Sequence, residues 1–160
     1  MRKTWLAALA LVAALVIAAC GAPQSTPQGA SPSASGAAQS VAAPEAGKAT
    51  VVGRVVDSKT GAALTDTPIR LAEVFREGGN GAYILDGGRS PGGITTSDGG
   101  FTIPNITARE YVVVVGDALA NHVVITDTSG KARIWDAQAG KVLDVGVLSV
   151  DLLAGTASVK

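Results

Sequence analysis

The sequence predicts an all-β protein, a seven- to eight-stranded β-sandwich, and three observations carry that prediction. From residue 49 onward short apolar runs alternate with turn signals rich in Gly, Asp, Ser and Thr. The chain holds 20 glycines but only 4% aromatic residues, so its apolar side chains are mainly small or β-branched. No segment after residue 20 repeats its apolar residues at helical spacing. With 160 residues, there is room for one domain of roughly 100 residues and a further segment.

The strands follow in order. Residues 50–56 (TVVGRVV) form the first, closed by Asp57-Ser58-Lys59-Thr60-Gly61, a turn whose Gly accepts positive φ. Residues 68–74 form the second, with Ile69 and Leu71 alternating against Arg70 and Ala72. A short strand at 94–96 meets Ser97-Asp98-Gly99-Gly100 and then 101–103, the pattern of a hairpin. Residues 111–115 (YVVVV) are continuously apolar, as a central strand covered on both faces requires. Residues 122–125, 132–135 and 142–152 supply the rest, with Asp127-Thr128-Ser129-Gly130 turning between the first two.

The amino-terminal end has a different character. Arg2 and Lys3 precede an unbroken apolar run at residues 5–19, the size of an export-signal core and short of the roughly 18–20 residues that span a bilayer. It ends in Ile17-Ala18-Ala19-Cys20-Gly21, which resembles the lipobox of bacterial lipoproteins. That resemblance implies a signal peptide at 1–19 and acylation of Cys20, with palmitate-type chains. Two or three chains hold a protein durably, because each buried methylene contributes about 0.8 kcal/mol. The expected location is the extracytoplasmic face of a membrane in the bacterial cell envelope. Gly21 rather than Asp follows the Cys, which directs that expectation to the outer membrane where a cell has two.

Residues 20–48 read as a tether. Beyond Cys20 they are almost wholly Gly, Ala, Pro, Ser, Gln and Thr and carry no charge before Glu45, so they cannot bury enough apolar surface to offset ordering. As a coil this segment spans about 30 Å. The sandwich domain then occupies 49–155. Removing Arg2 and Lys3 leaves 11 basic residues against 13 acidic, so attraction to anionic lipid is no part of the design.

Composition also narrows function. A net charge of zero gives no footprint for nucleic acid. One Cys and one His exclude a cysteine-rich zinc site and a multi-histidine centre, so no metal or cofactor is expected.

Val52-Gly53-Arg54-Val55-Val56-Asp57 with Gly61, then Thr67-Pro68-Ile69-Arg70-Leu71, then Thr95-Thr96-Ser97-Asp98-Gly99-Gly100-Phe101-Thr102-Ile103, then Ile106 through Tyr111-Val112-Val113 together resemble the carboxypeptidase regulatory-like domain, a transthyretin-related (prealbumin-like) sandwich. The resemblance covers about residues 50–116, and its most specific element is the Asp-Gly turn followed by a core Phe. Arg109 stands where members of that family usually carry Gly. The resemblance implies a non-catalytic accessory module, so no enzymatic activity is expected.

Several residues are candidates for chemistry or contact. His122 lacks a nearby serine motif of the Gly-x-Ser-x-Gly type, and an acid–base role for it would need Asp117 or Ser129 as partner. Asp98 and Asp127 lie in Gly-containing turns, one carboxylate per loop, which suits turn formation better than calcium. The stretch from 75 to 93 (FREGGNGAYILDGGRSPGG) is too long for a simple hairpin loop, and Tyr83-Ile84-Leu85 suggests an extra edge strand. Phe75, Arg76, Tyr83 and Arg89 there are candidate contacts for an envelope protein partner, and Trp135 joins them if the ligand is a glycan. The competing account puts the stretch in a hairpin packed on its own domain, and Trp135 in the core.

Overall fold

The computed structural model describes residues 41–78 and 80–159. The signal segment 1–19, Cys20 and the tether up to residue 40 lie outside the described residues. Ten strands occur in chain order: β1 Lys48–Asp57, β2 Pro68–Glu77, β3 Asn80–Ile84, β4 Gly92–Ile94, β5 Gly100–Thr107, β6 Glu110–Gly116, β7 His122–Val124, β8 Ile134–Asp136, β9 Val142–Asp151 and β10 Thr156–Val159. One sheet has the order β10-β9-β1-β5 and the other β3-β2-β6-β7, with β4 also on β2 and β8 also on β6.

The core lies between the two sheets. Val51 and Val55 of β1, Phe101 and Ile103 of β5, and Leu148 and Val150 of β9 belong to one buried cluster with Ile69 and Leu71 of β2 and Tyr111, Val113 and Val115 of β6. Each of these apolar side chains contributes about 1.5–3 kcal/mol by leaving water. β6 has a second buried face, where Val112 and Val114 pack with Ala72 and are flanked by Val74, Leu85, Val124 and Ala132. This explains the unbroken apolar run: between β2 on one side and β7 and β8 on the other, every side chain of residues 111–115 is buried. β1 is the equivalent spine of the other sheet, parallel to β9 and antiparallel to β5. It carries Gly53 where a Cβ would come within 2.6 Å of Val145 Cγ2 and 2.8 Å of Phe101 Cζ, so the missing side chain lets those two residues close over the strand.

The structure refines the sequence reading in four places. The Ser97–Gly100 turn is tight, with Gly99 N donating to Thr96 O at 2.8 Å, but it does not close a two-stranded hairpin within one sheet. β4 pairs with β2 and β5 pairs with β1, so this turn carries the chain from one sheet to the other. Gly99 has φ 80 and sits where a Cβ would overlap the Val55 carbonyl oxygen. Second, β2 continues to Glu77 and pairs with β3 over five residue pairs, which resolves the 75–93 stretch into a hairpin, a turn and β4. Third, β10 adds a strand beyond residue 155, antiparallel to β9. Fourth, order begins before residue 48: Glu45 N donates to Asn105 Oδ1 and Asn105 Nδ2 to Glu45 Oε1, each at 2.9 Å. That reciprocal pair holds the entering chain against β5.

Arg109 causes no backbone distortion before Tyr111. Among the described residues, the non-glycine residues with positive φ are Asp66 and Asn105, and Arg109 instead pairs with Glu73 across the strand end. The Tyr111 hydroxyl donates to Thr107 O at 2.8 Å, tying the corner between β5 and β6, and burial pushes its phenol pKa up.

Candidate functional site

The most unusual surface is the distal half of the β2–β3 hairpin. β2 pairs with β6 only as far as Glu73↔Tyr111, while its pairing with β3 continues from Glu73↔Ile84 to Glu77↔Asn80. Beyond Glu73, then, the hairpin is a two-stranded ribbon extending past the third strand. Alternation along a strand sends neighbours to opposite faces. Phe75, paired with Ala82, therefore shares a face with Glu73 and Ile84, whereas Tyr83, paired with Val74, shares the other with Arg76. Phe75 is 48% exposed, Tyr83 44% and Ile84 56%, so both faces present apolar surface to water.

Two devices hold the ribbon in place. Arg76 grips Glu110 of β6 through two parallel hydrogen bonds, Nε to Oε2 at 2.6 Å and Nη2 to Oε1 at 2.9 Å, a fork that fixes orientation as well as charge. The Arg76 guanidinium holds the Glu110 carboxyl below its ordinary range. After β3, Asp86 organises the return turn: its Oδ1 accepts from Gly88 N at 2.9 Å and Arg89 N at 3.2 Å, and its own N–H donates to Ser90 Oγ. Leu71 N then donates to Pro91 O at 2.8 Å. Arg89 is thereby set beside the Phe75 face, where Glu73, Phe75, Ile84, Asp86, Arg89 and Ser90 line a shallow depression of about 260 Å³.

The five candidate contact residues thus fall into three places. Phe75 and Arg89 share one face of the hairpin, and Arg76 and Tyr83 share the other. Trp135 is apart from both: it pairs opposite Tyr111, is only 7% exposed and belongs to the core cluster, with the Arg133 guanidinium 5.0 Å from its ring centroid. Ile84 and Glu73 complete the Phe75 face and were not among the candidates. Period-two alternation from Leu71 through Glu73 to Phe75 was the available signal for Glu73, and only the pairing register places Ile84.

Of the remaining candidates, Asp117 and His122 lie at the same end of the β6–β7 hairpin, while Asp98, Asp127 and Ser129 lie in other turns. His122 is exposed on β7 opposite Gly116. Asp117 Oδ1 accepts from Leu119 N at 2.8 Å, and Ser129 Oγ donates to Asp127 Oδ1 at 2.7 Å, so both side chains serve their own turns. Asp127 also accepts from Ser129 N and Lys131 N, and Asp98 from Thr96 Oγ1 and Gly100 N. Led by the Ser129 and Thr96 hydroxyls respectively, these hydrogen bonds hold both carboxyls below the usual range. Among the described residues, no three His, Cys, Asp or Glu side chains converge as a metal site would need. The side-chain amide of Asn105 is engaged with Glu45.

No protein-family model matches the chain, and no curated protein matches it. Solved structures similar to it include a DUF3823 family protein from Bacteroides uniformis (24% identity, 62% of this chain and 42% of that one, TM-score 0.38). BcpA, the major pilin subunit of Bacillus cereus, is similar at 14% identity over 62% of this chain and 29% of that one, TM-score 0.36. A 9R-lipoxygenase from Cyanothece PCC8801 is similar at 18% identity over 65% of this chain and 16% of that one, TM-score 0.37. The chain spans less than half the length of each of these proteins.

Proposed function

We propose that this chain is a membrane-anchored cell-envelope lipoprotein whose sandwich acts without catalysis, as a binding or structural module for protein contacts. The observation that carries the reading is the ribbon: apolar side chains held at half exposure on a framework pinned by Arg76–Glu110 and the Asp86 turn, an arrangement suited to a partner surface. Asp117 and Ser129 are each bonded within their own turns, which is compatible with it. A carbohydrate reader would need a flat aromatic platform; Phe75 and Tyr83 face opposite ways and Trp135 is in the core. The anchor rests on Ile17-Ala18-Ala19-Cys20.

The anchor is tested in bacteria fed labelled palmitate. The wild-type chain takes up label and sediments with membranes, and Cys20→Ser takes up none. Unlabelled wild-type chain in the soluble fraction would contradict the anchor.

A further inference from the structure

We infer that β3 is the seam of a homodimer, two copies adding their β3 strands edge to edge so that each ribbon becomes half of a four-stranded one. The inference rests on the protein-contact reading above and names the partner as a second copy of this chain.

Sheet edges invite pairing with other chains, and proteins ordinarily blunt them. β5 is interrupted by Pro104 and by Asn105 at φ 55, and Glu45 is bonded to it there. β10 has four residues, and its Ala157 carbonyl accepts from Thr126 Oγ1 at 3.0 Å. β4, β7 and β8 have three residues each. β3 carries none of these devices: residues 80–84 (NGAYI) hold no proline and no charge, and their register with β2 is unbroken.

The order of side chains on β3 suits a second copy. An antiparallel two-fold through Ala82 sets Ala82 against the second copy's Ala82, and each Tyr83 beside the other copy's Gly81. On the Tyr83 face the row across the four strands reads Val74, Tyr83, then the second copy's Gly81 and Arg76. The ring is offered a position without a side chain and a guanidinium beyond it. On the opposite face the row reads Phe75, Ala82, Ala82, Phe75, so two small residues leave room for a Phe from either side to cover the seam. No charged residue stands on the seam, and no like charges meet across it. Pairing also gives the isolated two-stranded end the additional strands that such ribbons need for stability. A seam of five residues is small, so dimerisation belongs in the micromolar range. Copies anchored on one membrane meet at a raised effective concentration.

Two measurements test this on the full chain. In sedimentation velocity, the wild type shifts from monomer to dimer with rising concentration. Ala82→Lys and Ala82→Glu, both at an exposed position, each weaken association roughly five- to tenfold, and a mixture of the two restores it. Circular dichroism of each variant reports that the fold is retained. A wild type that stays monomeric throughout, or charge variants that associate like the wild type, would overturn the proposal. The second measurement places a photoreactive residue at Tyr83 in cells. Adducts of twice the chain mass support self-pairing. Adducts only with a different protein overturn self-pairing and leave the protein-contact reading standing; no adducts at all overturn both.

Discussion

The two halves of β2 follow one alternation and end in opposite surroundings. Ile69, Leu71 and Ala72 are fully buried, yet Phe75, four residues along the same face from Leu71, is half exposed. The difference is in the neighbours. Ile69 to Glu73 pair with β6, and Ile69 and Leu71 face the second sheet, whereas Val74 to Glu77 pair only with β3 and reach β6 through the packing of Val74 and the Arg76–Glu110 fork. The same residue types therefore make core in one half and a contact surface in the other, and burial is decided by what the topology brings alongside.

Truncation is the most forceful way to break this comparison. Leu71→Ala should cost about 2–5 kcal/mol in urea unfolding, since it opens a cavity in the packed core. Phe75→Ala should cost less than about 1 kcal/mol, because half of its ring already faces water. Equal losses would mean that the ribbon belongs to the core. Two glycines sharpen the contrast. Gly99→Ala forces a side chain into positive φ and against the Val55 carbonyl, and should lose about 1–3 kcal/mol. At Gly81 the nearest atom to a Cβ is 3.7 Å away, at Arg76 Nη1, and Gly81→Ala should be within about 1 kcal/mol of the wild type. Thermal unfolding of both variants checks this. Tyr111→Phe should lose about 0.5–1.5 kcal/mol, the typical net value of one hydrogen bond, here the one to Thr107 O.

The finest distinction is electrostatic and lies at the β9–β10 turn. Lys59 Nζ donates to Asp151 Oδ2 at 2.7 Å, and the N–H groups of Ala154 and Leu153 donate to Oδ1. Lys59 first, then Ala154, hold the Asp151 carboxyl below its ordinary range. A carboxylate with a depressed folded-state pKa adds stability that is fully present above the unfolded value of about 3.9 and is lost as pH falls through the lower folded value. Asp151→Asn should flatten that acid limb and leave the profile above pH ~5 parallel to the wild type. An unchanged acid limb would show that the Lys59–Asp151 pair is idle.

Much of the sandwich was legible in the sequence, and the unread parts share a cause. The run Tyr111-Val112-Val113-Val114-Val115 announced a doubly buried strand, because a strand that is apolar at every position has both faces to bury. The Asp98-Gly99 turn and the core position of Phe101 were equally plain. What a single sequence does not encode is which strands pair. The Ser97–Gly100 turn has hairpin chemistry, and only pairing reveals that it joins two sheets. β10 (TASV) is too short and too polar to announce itself, and depends on β9 for its place. At the candidate site, Phe75, Arg76, Tyr83 and Arg89 lie close in sequence, but the pairings Val74↔Tyr83 and Phe75↔Ala82 split them between two faces. A shift of one residue in that register would have joined Phe75 and Tyr83 on one face.

The contrast within β2 is tested most directly by amide hydrogen exchange on the full chain, dilute enough to be monomeric. The amides of Leu71 and Ala72, with those of Val112 to Val115, should exchange only through global unfolding. Those of Val74 to Arg76 and Ala82 to Ile84 should exchange orders of magnitude faster, through local opening of the ribbon. Equal protection along the whole of β2 would contradict the account and make the hairpin an integral part of the core.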